Sequence, residues 1–203
     1  LVPEIIASMD GVLERLSAGC RVVDVGCGAG VAACALAAAF PNCEITGLDP
    51  SPTAIEAAKR LADERGLDNV SFDIGTFDEL PGMAPVDFML TLDVLHDLPD
   101  PQSAIARAHQ ALDSRGSWLV ADIRGRGDLE ANRKIPVLPL MYAMSVFYCM
   151  SSSLSEPGGA GLGTLGLHRD LFEEMASRAG FESFTVHDFE VDPTNRYYEL
   201  RPS

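Results

Sequence analysis

The chain alternates short apolar runs with stretches whose apolar residues recur every three or four positions. Val22, Val23 and Val25 form a β-branched run, and alanine-rich helical sequence follows it. Glu44 to Leu48 is a second strand. Ser51 then suits a helix N-cap and Pro52 the first helical position. Ala54, Ile55, Ala58 and Leu61 mark one helix face, and Gly66 stops it. Val70 to Ile74 and Val86 to Leu92 are the third and fourth strands. Asp100-Pro101 repeats the cap-and-proline start, with Ile105, Ala108 and Leu112 on one face. Gly116 punctuates before a fifth strand, Ser117 to Ala121, which ends at Asp122. Leu171 to Ala179 is a helix stopped by Gly180. Ser183 to Val191 and Arg196 to Leu200, joined by Asp192 to Asn195, read as an antiparallel hairpin.

This beat predicts an α/β fold, a parallel sheet covered by helices on both faces with a hairpin at its end. Ligands of such sheets bind outside the carboxyl ends of the strands. Gly26, Asp49, Thr76, His96 and Asp122 all fall at or just past such ends. The least regular part is an insert over residues 124–166. Its first half, Lys134 to Met150, reads as an apolar helix rich in Met and aromatics, and its second half as a glycine-serine loop. Hanging over the ligand side of the sheet, it is expected to act as a lid whose Met and Tyr side chains shape an apolar pocket. A core or dimer-interface helix is the competing reading, and a homodimer fits it.

Composition narrows the partners. The 203 residues are 47% hydrophobic and carry a net charge of −15, which fits one globular domain with a sizeable core. An acidic chain is a poor match for a phosphate backbone, so no nucleic-acid partner is expected. No apolar run reaches the roughly 20 residues that span a bilayer, and no membrane partner is expected. Cys20, Cys27, Cys34, Cys43 and Cys149 show no metal-ligand spacing, so no metal is expected and they read as reduced residues of a cytoplasmic protein. The chain starts Leu1-Val2-Pro3 without an initiator methionine, so an N-terminal region is expected to be missing.

The chemistry concentrates at Asp24-Val25-Gly26-Cys27-Gly28-Ala29-Gly30, a strand-to-helix turn where ligands can approach bare backbone. A dinucleotide fingerprint needs its third glycine at the position of Val31, and no Gly-Lys-Ser/Thr of a P-loop is present. A tight turn without any ligand would need the same glycines. Asp49 stands nineteen residues after Gly30, at a strand end where a carboxylate can accept two hydrogen bonds from a ribose diol.

The Asp-x-Gly-x-Gly-x-Gly pattern resembles motif I of class I S-adenosylmethionine (SAM) methyltransferases. That resemblance implies a Rossmann-like, seven-stranded sheet with a C-terminal antiparallel hairpin, covering essentially the whole chain. It implies SAM as cofactor, held by Asp24, Gly26, Cys27, Gly28, Gly30, Asp49, Pro50, Gly75, Thr76, Phe77 and Leu92. The family usually has Gly-Asp after the third strand, where this chain has Gly75-Thr76-Phe77-Asp78. Thr76 is then expected to accept one adenine hydrogen bond, Phe77 to flank the ring, and Asp78 to substitute if the loop shifts.

Leu95-His96-Asp97-Leu98-Pro99-Asp100 resembles the Leu-His-Asp-Trp-x-Asp segment of small-molecule O-methyltransferases with an N-terminal winged-helix domain, Leu98 replacing the tryptophan. Phe172 and Ala179-Gly180-Phe181 extend the likeness, and Cys149 to Leu154 and Gly161 to Thr164 resemble segments of bacterial winged-helix relatives. The resemblance makes His96 the base that deprotonates an acceptor hydroxyl and Asp122 the acid that orients it. That family's second acidic partner has no clear match near Leu167-His168-Arg169. His109, His168 and His187 read as ordinary surface positions. The implied acceptor is a small, hydroxyl-bearing apolar or aromatic molecule. A non-catalytic SAM-binding module remains the alternative, while Val31 argues against a nicotinamide-dependent oxidoreductase.

Overall fold

The computed structural model describes residues 4–203. One seven-stranded sheet runs in the order β3-β2-β1-β4-β5-β7-β6. The strands are β1 Arg21–Val25, β2 Glu44–Asp49, β3 Val70–Ile74, β4 Val86–Leu92, β5 Leu112–Ile123, β6 Ser183–His187 and β7 Asn195–Arg201. The first five are parallel, while β7 is antiparallel to β5 and to β6. Alternation within the strands splits the core in two. Val22, Ile45, Phe72 and Leu119 pack with Ala33, Leu36 and Ala58 of the Val31–Ala39 and Pro52–Arg65 helices on one face. Val23, Met89, Trp118 and Val120 pack with Ile105 and Phe172 of the Pro101–Ala111 and Arg169–Ala179 helices on the other. β1 lies between β2 and β4, so the strand order reverses there and opens a crevice above the carboxyl end of β1.

The fifth strand starts at Leu112, five residues before the predicted start. Val86 pairs with Leu112 and Phe88 with Ser117, so Asp113 to Gly116 bulge out of the ladder. Gly116 is required by that bulge: a Cβ there would sit 2.9 Å from the Val86 carbonyl oxygen. At the other end β6 stops at His187 rather than Val191. Asp188 leaves the strand to meet Arg124 at 2.6 Å and Arg196 at 3.2 Å.

The insert helix begins at Leu138, after Pro136, and continues to Ser153 with a wider π-turn over Ser145–Cys149. Its buried residues are Ser145, Cys149 and Ser153, one stripe at i, i+4 and i+8. Leu140, Val146, Phe147 and Tyr148 are exposed. Of the Met and Tyr side chains expected to shape a pocket, Met141 lines a cavity of about 250 Å³ with Ile135, Pro136 and Val137, while Tyr142, Met144 and Tyr148 are exposed. Among the described residues no helix is long and apolar enough to cross a membrane.

The three histidines read as surface positions each have a structural task. His109 packs edge-on against Phe181 with centroids 5.0 Å apart, and His168 caps the Arg169–Ala179 helix. His187 Nε2 lies 3.0 Å from Glu199.

Gly30 shows how tightly the sheet face is closed. At φ +75°, a Cβ there would stand 2.7 Å from Phe72 Cζ and 2.8 Å from Ala58 Cβ. Gly30→Ala is expected to cost about 3 kcal/mol, from overpacking plus a left-handed backbone. Urea denaturation should show it as a lower midpoint at unchanged slope.

Candidate active site

A cleft of about 290 Å³ occupies the crevice above β1. Gly26, Asp49, Pro50, Gly75, Thr76, Phe77 and Leu92 line it, as the cofactor assignment requires. Asp93, Val94, Asp97 and Leu98 from the loop after β4, and Ser152 from the insert, complete the wall. Asp24, Cys27 and Gly30 shape the glycine loop behind the wall, and Gly28 stands in that loop outside the cleft lining. The Cys27 side chain is buried in the core beside Gly47.

The three glycines of that loop exist for three reasons. A Cβ on Gly26 would lie 2.3 Å from Val94 Cγ2, so this glycine lets the loop after β4 seat on β1. Gly30 is closed in by Phe72 and Ala58. Only Gly28 has open space where its Cβ would be, and it alone offers bare backbone to a ligand. Its N–H donates to Asp49 Oδ2 at 2.9 Å, and Asp49 Oδ1 accepts the Ser51 N–H at 2.9 Å. A carboxylate has about four lone-pair sites, so about two remain for a vicinal diol. Open backbone at Gly28 and a fixed carboxylate at Asp49 fit the ribose end of SAM.

The residues expected at the adenine end sit on a tight local turn. Thr76 Oγ1 accepts the Asp78 N–H at 3.1 Å, and Glu79 Oε2 accepts the Thr76 N–H at 2.6 Å. This is a capping box, in which the Thr76 hydroxyl uses one of its two acceptor lone pairs while the residue lines the cleft. Asp78 pairs with Arg107 at 2.9 Å and does not line the cleft. Phe77 does line the cleft, though packed against Trp118 with centroids 6.2 Å apart.

Asp24 is buried beneath the loop, and its Oδ2 has no hydrogen-bond partner. Burial pushes its carboxyl up to about 7, opposed by the Ala33 N–H and assisted by the charge of Asp49. The folded state thus holds this proton far more tightly than the unfolded chain, whose Asp titrates near 3.9. The associated stability is complete below about pH 4 and lost as pH rises through about 7. Asp24→Asn is expected to be about 2–4 kcal/mol more stable than wild type at pH 8, with the advantage vanishing at pH 4. Thermal melts at the two pH values check it.

His96 and Asp122 meet as predicted. The short 3-10 turn Leu95–Asp97 and the end of β5 bring His96 Nδ1 to 2.7 Å from Asp122 Oδ1. Asp122 also accepts the Ile123 N–H at 2.8 Å, so its own position is fixed. His96 Nε2 faces Asp97 Oδ1 at 3.2 Å and Cys149 Sγ at 3.4 Å, and Cys149 lies 3.0 Å from Thr164 Oγ1. Burial lowers the basicity of His96, but the hydrogen bond and charge of Asp122, then the charges of Asp97 and Asp93, outweigh it and raise it. Burial raises Asp122, with the His96 hydrogen bond and charge opposing. Burial also holds Asp93 up at about 6, with Asp122 adding to it.

Asp93, Asp97, Cys149 and Thr164 received no site role from the sequence, although Asp97, Cys149 and Thr164 lie in the segments that carry the family likeness. Asp93 and Asp97 flank His96 in its own segment, and that adjacency was the available signal. Asp93 also carries a left-handed φ of 56°, which sequence alone does not reveal. Cys149 and Thr164 reach the site only through the fold of the insert.

A family model described as a methyltransferase domain matches residues 16–156. The ubiquinone biosynthesis O-methyltransferase of Methylocella silvestris is 37% identical over 92 residues, 45% of this chain and 35% of that protein. The ribosomal RNA small subunit methyltransferase C of Salmonella arizonae is 36% identical over 105 residues, 49% of this chain and 30% of that protein. The chain thus spans about a third of the length of these two curated relatives. Human N-acetylserotonin methyltransferase, solved in complex with SAM, shares the fold at TM-score 0.65 and 22% identity, covering 97% of this chain and 50% of that one. The match over residues 16–156, with the sheet and cleft that carry it, places the chain in the methyltransferase domain family, with the class I fold and S-adenosylmethionine as its cofactor.

Proposed function

We propose that the chain transfers the methyl group of SAM to a small, hydroxyl-bearing apolar or aromatic molecule, with His96 as general base. The observation that carries this reading is the buried 2.7 Å contact between His96 and Asp122, behind the cleft wall formed by Asp93, Val94 and Asp97. SAM supplies an electrophilic methyl on a good leaving group, so the protein's main tasks are alignment and proton removal. His96 Nδ1–H donates to Asp122, which fixes the ring and turns the Nε2 lone pair to the Cys149 thiol 3.4 Å away, a contact the acceptor hydroxyl replaces when it gives up its proton. Asp122 then offsets the charge of the imidazolium. The insert excludes water: Cys149 Sγ packs 3.4 Å from Nε2, and His96 is only 4% exposed.

The acidic surface, net charge −15, supports a small-molecule acceptor over nucleic acid or an anionic membrane. Free cysteines throughout the chain support a cytoplasmic location. The same enclosure of His96 favours a second reading, a SAM-binding module that transfers nothing. Calorimetry with SAM and its demethylated product, followed by mass-spectrometric screening of phenols and alcohols, separates the two. SAM binding with a methylated product supports the enzyme; binding without product across the screen supports the module. No heat with either ligand sinks both.

A further inference from the structure

The groups crowded around His96 have a geometry that proton transfer alone does not require. Nε2 lies 3.2 Å from Asp97 Oδ1 and 3.4 Å from Cys149 Sγ, and one ligand atom from each residue lies within 4.8 Å of the others. Zinc bonds imidazole nitrogen at about 2.0–2.1 Å, carboxylate oxygen at about 2.0–2.2 Å and thiolate sulfur at about 2.3 Å. Tetrahedral angles then place nitrogen and oxygen about 3.3 Å apart, and nitrogen and sulfur about 3.6 Å apart. Both observed separations fall within a few tenths of an ångström of those values.

The orientation agrees. Asp97 Oδ1 is buried and accepts no hydrogen bond, although Nε2 is only 3.2 Å away. With its proton on Nδ1 toward Asp122, Nε2 has no hydrogen to donate, so two lone pairs face each other at 3.2 Å, an arrangement that a shared cation relieves. Support behind the ligands is also in place. Asp122 holds Nδ1, which fixes the tautomer with its Nε2 lone pair free, and Thr164 Oγ1 lies 3.0 Å from Cys149 Sγ. Such outer partners normally orient metal-binding histidines and thiolates. Charge agrees as well: three carboxylates, Asp93, Asp97 and Asp122, surround one imidazole, and none of the ion pairs among the described residues joins any of them to Lys or Arg.

We propose that His96 Nε2, Asp97 Oδ1 and Cys149 Sγ form a three-ligand site for a borderline-soft divalent cation, zinc foremost. Asp97 also lines the cleft, so the fourth position opens toward it. Binding forms a sulfur–metal bond and releases the Cys149 thiol proton to solvent. A metal and a proton compete for the same Nε2 lone pair, so a bound ion silences the base. That consequence rests on the base reading of His96, while the site does not.

The test is a Co²⁺ titration of chelator-treated protein, followed in the near ultraviolet for a thiolate-to-cobalt charge-transfer band. One equivalent of Co²⁺ is expected to saturate the band, and Zn²⁺ to abolish it. Cys149→Ser should lose the band, and Asp122→Asn should weaken Co²⁺ binding about 10- to 100-fold. Far-ultraviolet circular dichroism confirms that the variants fold. No thiolate band in the wild-type protein overturns the proposal without any variant, and so does a band that survives in folded Cys149→Ser. A SAM titration on the same sample keeps the two readings apart. A cobalt band without SAM binding leaves this site and removes the methyl-transfer reading; SAM binding without the band does the reverse.

Discussion

Replacing His96 by glutamine is expected to lower methyl transfer about 10²- to 10⁴-fold while SAM affinity stays within about twofold of wild type. The size follows from the loss of a positioned base. The sparing of affinity follows from place, since His96 is behind the cleft wall formed by Asp93, Val94 and Asp97 and is not part of it. The pH profile adds a readout that structural damage would not mimic. An imidazole acts as a base only when neutral, and the carboxylates around His96 raise its pKa above the ordinary 6.5. Transfer should therefore climb with pH through a limb lying above 6.5 and level off on its alkaline side. Asp122→Asn removes the largest raising influence and should move that limb to lower pH, with a lower plateau because the ring is no longer held by a charge. Single-turnover rates across pH for the three proteins check it. A glutamine variant that turns over normally would end the base assignment.

Asp49→Ala is expected to weaken SAM binding by about 3 kcal/mol, more than 100-fold. Hydrogen bonds to a carboxylate contribute about 1.5–3 kcal/mol each, and a ribose diol offers two donors. The aspartate also pins the Gly28 and Ser51 N–H groups at 2.9 Å, so its removal loosens the one glycine that faces open space. Asp49→Asn keeps an acceptor oxygen and should lose less. Calorimetric titration of both variants gives the ordering wild type, then Asn, then Ala. Equal affinity across the three would remove Asp49 from the ribose site.

The strand ends were legible because they depend on local alternation and on turn residues close in sequence. That is why Asp49, His96 and Asp122 fall where the pattern placed them. The reasons for individual residues were less legible, because they come from partners far along the chain. Gly26 answers to Val94, and Gly30 answers to Phe72 and Ala58. Thr76 was a local signal that went unread: Thr76-x-x-Glu79 is itself a capping-box sequence. The insert carried two periodic stripes, one large and apolar, one small and polar. Thr164 and His96 select the small stripe, through the Ser145 hydroxyl that accepts the Thr164 N–H at 3.1 Å and the thiol of Cys149.

The outward-turned bulk of that helix sets the colloidal behaviour of the chain. Ile135 to Met150 contains no charged residue, while the whole chain carries −15. Copies repel one another at neutral pH, and salt shortens the reach of that repulsion. Near the sequence pI of about 4.5 the repulsion disappears, and Leu140, Val146, Phe147 and Tyr148 become the surface through which copies stick. Acid precipitation and strong retention on a hydrophobic resin in sulfate should both fall when Phe147 and Tyr148 are replaced by serine.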